Sequence, residues 1–189
     1  ITIFSEQGRF QYGGHTYTLI DTPGHVDFSP EMERAIRAMD YAIVIISAVE
    51  GIQGHTETVW QLLRDYHVPT FIFINKIDRE GADVSAIMQA LQKEFSPNIV
   101  LVNNVADAAE FVAERNEQLL EKFMEEALTD EEIVYALQQH IKQQEAFVAM
   151  QGAALKSIGV IEFLDMIHLL TTTTYDSTAP FQADVVKIR

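Results

Sequence analysis

The 189-residue chain carries 28 acidic and 13 basic side chains, a formal net charge of −15, and no cysteine. The absence of thiols excludes a disulfide framework and any cysteine-ligated metal, and the charge excludes electrostatic wrapping of nucleic acid by the chain as a whole, since phosphate contacts need Lys and Arg. No apolar run reaches membrane-spanning length and the amino terminus has no basic-then-apolar leader. The expectation is therefore one soluble, cytoplasmic domain of ordinary core size with no membrane partner, cut from something longer because Ile1 enters straight into strand-like sequence.

Ile1 to Tyr12 reads as strand, and Gly13-Gly14 followed by Thr16 to Ile20 as the return arm of an antiparallel hairpin. The return arm runs into Asp21-Thr22-Pro23-Gly24-His25. A strand that ends in an aspartate and turns through Pro-Gly into a helix sets a carboxylate and a free backbone N–H at the carboxyl edge of a sheet, where open α/β folds bind ligands. Phe28, Met32, Ala35, Ile36 and Met39 then recur at helical spacing, with Pro30 tolerated in the first turn. Ala42 to Ile46 is a continuous β-rich run of the kind buried on both faces. Val59, Leu62, Leu63 and Tyr66 mark a second helix, Thr70 to Ile74 a second buried strand, and Val84, Ile87, Met88, Leu91 and Phe95 a third helix. This alternation predicts an α/β fold with a mostly parallel sheet flanked by helices.

From about Val105 to Ala146 the alternation gives way to a helical, acidic insert. Leu120, Phe123, Met124 and Ala127 form one apolar stripe, and Thr129 with Glu132 forms a capping box that starts a helix through Ile133, Leu137 and Ile141. Much of the negative charge is concentrated between Glu110 and Glu132, reading as a solvated helical face, so the net charge says little about other faces. Strand-like sequence resumes at Phe147 to Met150, followed by Gly152 and an amphipathic helix through Val160, Phe163, Leu164 and Ile167. Thr171 to Pro180 is a polar connector, and Phe181 to Ile188 alternates like the opening strand of a further domain. The histidines have no spacing typical of a zinc site, and Trp60 reads as packing.

Asn75-Lys76-Ile77-Asp78 follows a buried strand at once. Guanine presents N1–H and N2–H₂ as adjacent donors on one edge, and an ionised carboxylate that accepts both distinguishes it from adenine. Asp78 is the candidate acceptor, Lys76 offers methylenes to the base, and Asn75 can tie neighbouring loops together.

With Asp-x-x-Gly-His and Asn-Lys-x-Asp in one chain, the sequence resembles the GTPase domain of translational GTPases, and among them most the tetracycline-resistance ribosomal protection proteins, relatives of elongation factor G. The resemblance runs from Ile1-Thr2-Ile3 through Leu119-Leu120-Glu121-Lys122 to Gly152–Val160. It implies a P-loop NTPase-like fold that binds GTP or GDP with Mg²⁺ and works on the ribosome, through ribosomal RNA and proteins. Thr2 and Asp21 would serve the magnesium, and the Gly24 N–H would meet the γ-phosphate. Thr22 and Pro23 would complete that turn, while His25 would orient the attacking water. The third base-contacting stretch, Gly-Ser-Ala in the family, is here Gly152-Ala153-Ala154-Leu155. It keeps a backbone N–H, expected at Ala154, for guanine O6. Nowhere is there a G-x-x-x-x-G-K-[ST] loop to cradle the β- and γ-phosphates, so the fold is expected to lack the phosphate-loop strand and helix. The expected organisation is an incomplete nucleotide-binding domain over 1–178, with its helical insert at about 105–146, and the start of a β-barrel domain over 179–189. Two other readings stand beside ribosomal protection: an elongation or recycling factor, and a nucleotide-free interaction module.

Overall fold

The structure is a computed structural model, and it describes residues 6–22, 29–173 and 178. Thr2, Pro23, Gly24, His25 and the expected start of a further domain at 179–189 lie outside the described residues. The amino-terminal hairpin pairs β1 (Glu6–Tyr12) with β2 (His15–Asp21), in a register that closes at Tyr12 opposite His15 and opens at Glu6 opposite Asp21. Gly13-Gly14 form the two-residue turn, both at positive φ, as a hairpin twisted like its strands requires.

A separate four-stranded sheet contains β3 (Ala42–Ser47), β4 (Thr70–Asn75), β5 (Ile99–Leu101) and β6 (Phe147–Gln151), in the order β3-β4-β6-β5 and parallel throughout. Parallel strands need crossovers, and helices supply them: α1 (Ser29–Ile36), α2 (Gly54–Asp65), α3 (Val84–Glu94) and α6 (Asp130–Lys142) lie between strands or ahead of them, and α7 (Val160–Leu170) follows β6. Alternate side chains serve opposite faces. Val44, Ile46, Ile72, Ile74, Phe147 and Ala149 pack with Met32, Trp60, Leu63, Ile87 and Leu91 of α1 to α3. Phe71, Phe73, Val148 and Met150 pack with Ile133, Leu137 and Ile141 of α6 and with Phe163, Met166 and Leu170 of α7. The fold is thus a helix–sheet–helix sandwich. Trp60 stacks on Phe95 at 4.8 Å and meets Phe147 at 4.7 Å, a packing role.

Three expectations are corrected. The sheet has an unanticipated edge strand, β5, whose three residues are too few to show a period. β3 is not buried on both faces: Ile43 is 39% and Ile45 64% exposed, because they share the face of Phe71 and Phe73 but no described element covers that face at β3. In the insert, α4 (Ala109–Ala113) and α5 (Glu117–Glu125) precede α6, and α5 turns Leu119 and Phe123 towards the core. Leu120, Met124 and Ala127 of the anticipated stripe are exposed instead. The anticipated capping box is present: the Thr129 hydroxyl accepts from the Glu132 N–H, and Glu132 accepts from the Thr129 N–H at 2.9 Å.

Candidate functional site: two laced loops at the carboxyl edge of the sheet

The parallel strands deliver the residues after Ser47, Asn75 and Gln151 to one edge, where backbone hydrogen bonds lace the loops together. The Gly152 N–H donates to the Ile74 carbonyl at 2.9 Å and the Ile77 N–H to the Gly152 carbonyl at 3.2 Å. The Ala48 N–H donates to the Asn75 carbonyl at 2.8 Å. Asn75 is the knot: its Oδ1 accepts from its neighbour Lys76 N–H at 2.8 Å and from Ala154 N–H, on the other loop, at 2.9 Å. Lys76 is held at φ +66, a left-handed conformation rarely occupied by a non-glycine and characteristic of functional loops.

The second loop closes on itself through reciprocal bonds between Ala153 and Ile158, at 2.9 and 3.1 Å, around a 3₁₀ turn at Ala154–Lys156. Gly152 has to be glycine here, since a Cβ would run into the Ile158 carbonyl and stand 2.6 Å from Cζ of Phe73. Leu155, at the outer turn, is 87% exposed.

Two ion pairs cross the site. Lys156 Nζ lies 2.8 Å from Asp78 Oδ2, and the hydrogen bond from Lys156 holds the Asp78 carboxyl below its usual range. Lys76 Nζ lies 3.0 Å from Glu50 Oε2 in the loop after β3, and likewise lowers that carboxyl. Sequence reasoning assigned neither Glu50 nor Lys156 a role. Their partners are far off in the chain, and only the parallel topology brings them together.

The structure therefore assembles Asn75, Lys76, Asp78, Gly152, Ala153, Ala154 and Leu155 in one place. Asp21 lies exposed at the end of β2 of the hairpin, and Thr22 follows it outside the strand. The hairpin is tied to α7: the Tyr12 hydroxyl donates to Asp165 at 2.6 Å, the Tyr17 hydroxyl sits 2.9 Å from His168 Nδ1, and the His15 and His168 rings are 4.9 Å apart. The same helix begins just after the loop that holds Ala154. Among the described residues no cluster of three or more His, Cys, Asp or Glu could hold a metal by itself. A single carboxylate such as Asp21 suits magnesium, which commonly takes one or two protein carboxylates beside phosphate oxygens.

An open parallel sheet with polar loops laced at its carboxyl edge defines the class, a ligand-binding α/β domain. The model of the elongation factor Tu GTP binding domain matches residues 1–173, and the chain belongs to that family. It is 32% identical over 181 residues to the tetracycline resistance protein TetW of Butyrivibrio fibrisolvens, covering 88% of this chain and 28% of that protein. It is also 32% identical over 188 residues to the tetracycline resistance protein TetP of Clostridium perfringens, covering 88% and 29%. The chain thus spans less than a third of the length of these relatives. A solved structure from Thermus thermophilus superposes with a TM-score of 0.82 at 22% identity, over 91% of this chain and 32% of that one. Translation elongation factor SelB of Methanococcus maripaludis, solved with the GTP analogue GppNHp, matches with a TM-score of 0.56 at 20% identity, over 89% and 28%. Both likenesses are of fold: an α/β domain built on a parallel four-stranded sheet flanked by helices.

Proposed function

We propose that the intact protein is a ribosome-stimulated GTPase that uses GTP to release tetracycline from the ribosome, and that this chain is part of its G domain. The observation that carries the guanine reading is the lacing of the 75–78 loop to the 152–155 loop through Asn75, which sets the Asp78 carboxylate beside a backbone-donor turn. Asp78 reads N1–H and N2–H₂ of guanine, Lys76 lies along the base with Leu155 on the exposed outer turn, and the segment Gly152-Ala153-Ala154 supplies a backbone donor to O6. The names of the two relatives, tetracycline resistance proteins, support the task.

Asp21 and Thr2 would hold magnesium, which when bound offsets charge on the phosphates. Gly24, preceded by Thr22 and Pro23, would present its N–H to the γ-phosphate. His25 orients the attacking water, and little covalent chemistry is asked of the protein. With no G-x-x-x-x-G-K-[ST] loop in these 189 residues, the chain alone binds GTP weakly and turns it over negligibly. On this reading residues 1–178 are an incomplete G domain and 179–189 open the next, β-barrel domain. The working compartment is the cytoplasm.

The test is GTP hydrolysis by the full-length protein with and without ribosomes, with release of labelled tetracycline followed in the same sample. Stimulation with release is expected. Stimulation without release moves the protein to another translation step, which the family's elongation-factor description would accommodate. No hydrolysis under either condition would favour an interaction module.

A further inference from the structure

Both groups expected to read guanine are already engaged inside the protein. Asp78 Oδ2 accepts from Lys156 Nζ at 2.8 Å, and the Ala154 N–H donates to Asn75 Oδ1 at 2.9 Å. The two contacts are not independent, because Ala154 and Lys156 are the first and last residues of one 3₁₀ turn. A turn that swings Ala154 towards a base carries Lys156 with it.

We propose that Lys156 is a latch on the guanine-reading carboxylate: it pairs with Asp78 when no base is bound and is exchanged for the N1–H and N2–H₂ donors when guanine enters. The inference rests on the guanine reading of Asp78 and adds to it a residue that sets nucleotide affinity. The chemistry is an exchange of donors on one carboxylate. Guanine claims both oxygens at once, so an ammonium seated on Oδ2 contends with N1–H or N2–H₂ for the same lone pairs. Asp78 is the sheltered partner, its side chain 18% exposed, whereas Lys156 is 58% exposed and can return to water without crossing protein. Until then the ammonium keeps the Asp78 carboxylate ionised and oriented. Lys76 does not compete for this role, because Glu50 holds its ammonium at 3.0 Å.

A closed fraction weakens apparent affinity by the share of molecules that are competent to bind. An exposed ion pair is worth little, so the latch is light and sets affinity by a small factor without blocking the site. It also leaves a signature in salt, since screening opens an exposed pair.

The experiment measures GDP dissociation constants for the full-length protein, wild type against Lys156→Met and Lys156→Arg, from about 50 mM to about 1 M salt. Met keeps the aliphatic stem and removes the charge; Arg offers a fork that engages both oxygens. The expected result is that Lys156→Met binds GDP about two- to fivefold more tightly at low salt, that its advantage over wild type shrinks towards none at high salt, and that Lys156→Arg binds more weakly than wild type. Phosphate contacts are common to all three proteins and cancel in the ratios. GDP binding by wild type with Lys156→Met equal or weaker, or with a ratio indifferent to salt, would overturn the latch and leave the guanine reading standing. Absence of GDP binding by all three proteins would overturn the guanine reading itself, and the latch with it.

Discussion

Asn75 occupies the position on which the site turns, because one carboxamide oxygen accepts from two loops at once. Asn75→Ala leaves two backbone donors without that acceptor. Both bonds are exposed and hydrogen bonds of this sort contribute about 0.5–1.5 kcal/mol each, so loosening of the two loops is expected to lower guanine-nucleotide affinity by a few-fold in an equilibrium binding assay while the fold survives. Gly152→Ala acts by a different route, since its methyl meets a carbonyl and the Phe73 ring. Overpacking of this kind costs about 1–3 kcal/mol, and both a lower melting temperature and weaker nucleotide binding are expected. His25→Ala should bind nucleotide almost normally and hydrolyse it slowly with ribosomes; a large loss of binding would make that histidine structural. The 75–78 stretch was legible in sequence because its chemistry is packed into four successive residues. The pairing of Asp78 with Lys156 was not, because nothing in either loop names the other.

At the level of elements, α6 shows how much a local motif can settle. Thr129 and Glu132 exchange bonds across the helix start, and Lys122 from α5 joins Glu132 at 2.7 Å. Thr129→Ala is expected to cost about 1 kcal/mol in denaturant unfolding. Glu132 also gives a pH signature. The hydrogen bond from Lys122 first, and those from Thr129 after it, pull its carboxyl down to about 2 from an ordinary 4.5. A depressed folded-state value means stability that is complete above about 4.5 and is lost as pH falls through about 2. Melting curves across that window should show Glu132→Gln losing this component of the slope; an unchanged slope would remove Glu132 from the acid response. The capping box was legible because its partners are three residues apart. The facing of α5 and the existence of β5 were decided by what packs on them, which a helical stripe one position out of phase and a three-residue strand do not disclose. The hairpin offers a further element-scale test. Gly13 turns at φ +54 directly against His168, whose Cε1 would lie 2.6 Å from an added Cβ, so Gly13→Ala should loosen the hairpin from α7 and raise amide exchange along β1 and β2.

For the molecule as a whole, the alternation of strands and helices was enough to place three of the sheet's four strands, because β3, β4 and β6 announced themselves as apolar runs and the helices between them as helical periods. It could not tell which strand would be left uncovered. β3 pairs only with β4 among the described residues, and Ile45 on its open face is 64% exposed. Edges and faces of this kind template association. The 189-residue chain on its own should therefore self-associate at micromolar concentration in sedimentation velocity, and Ile45→Lys should shift it towards monomer. The central claim, that two laced loops at the sheet's carboxyl edge read guanine through Asp78, is tested most directly by a change of base. Xanthine replaces the N2 donor of guanine with an acceptor that an amide can serve, so in the full-length protein Asp78→Asn should weaken GTP and strengthen xanthosine triphosphate, reversing the order of preference in competition binding. An unchanged preference for GTP would take Asp78 out of the site and contradict the account.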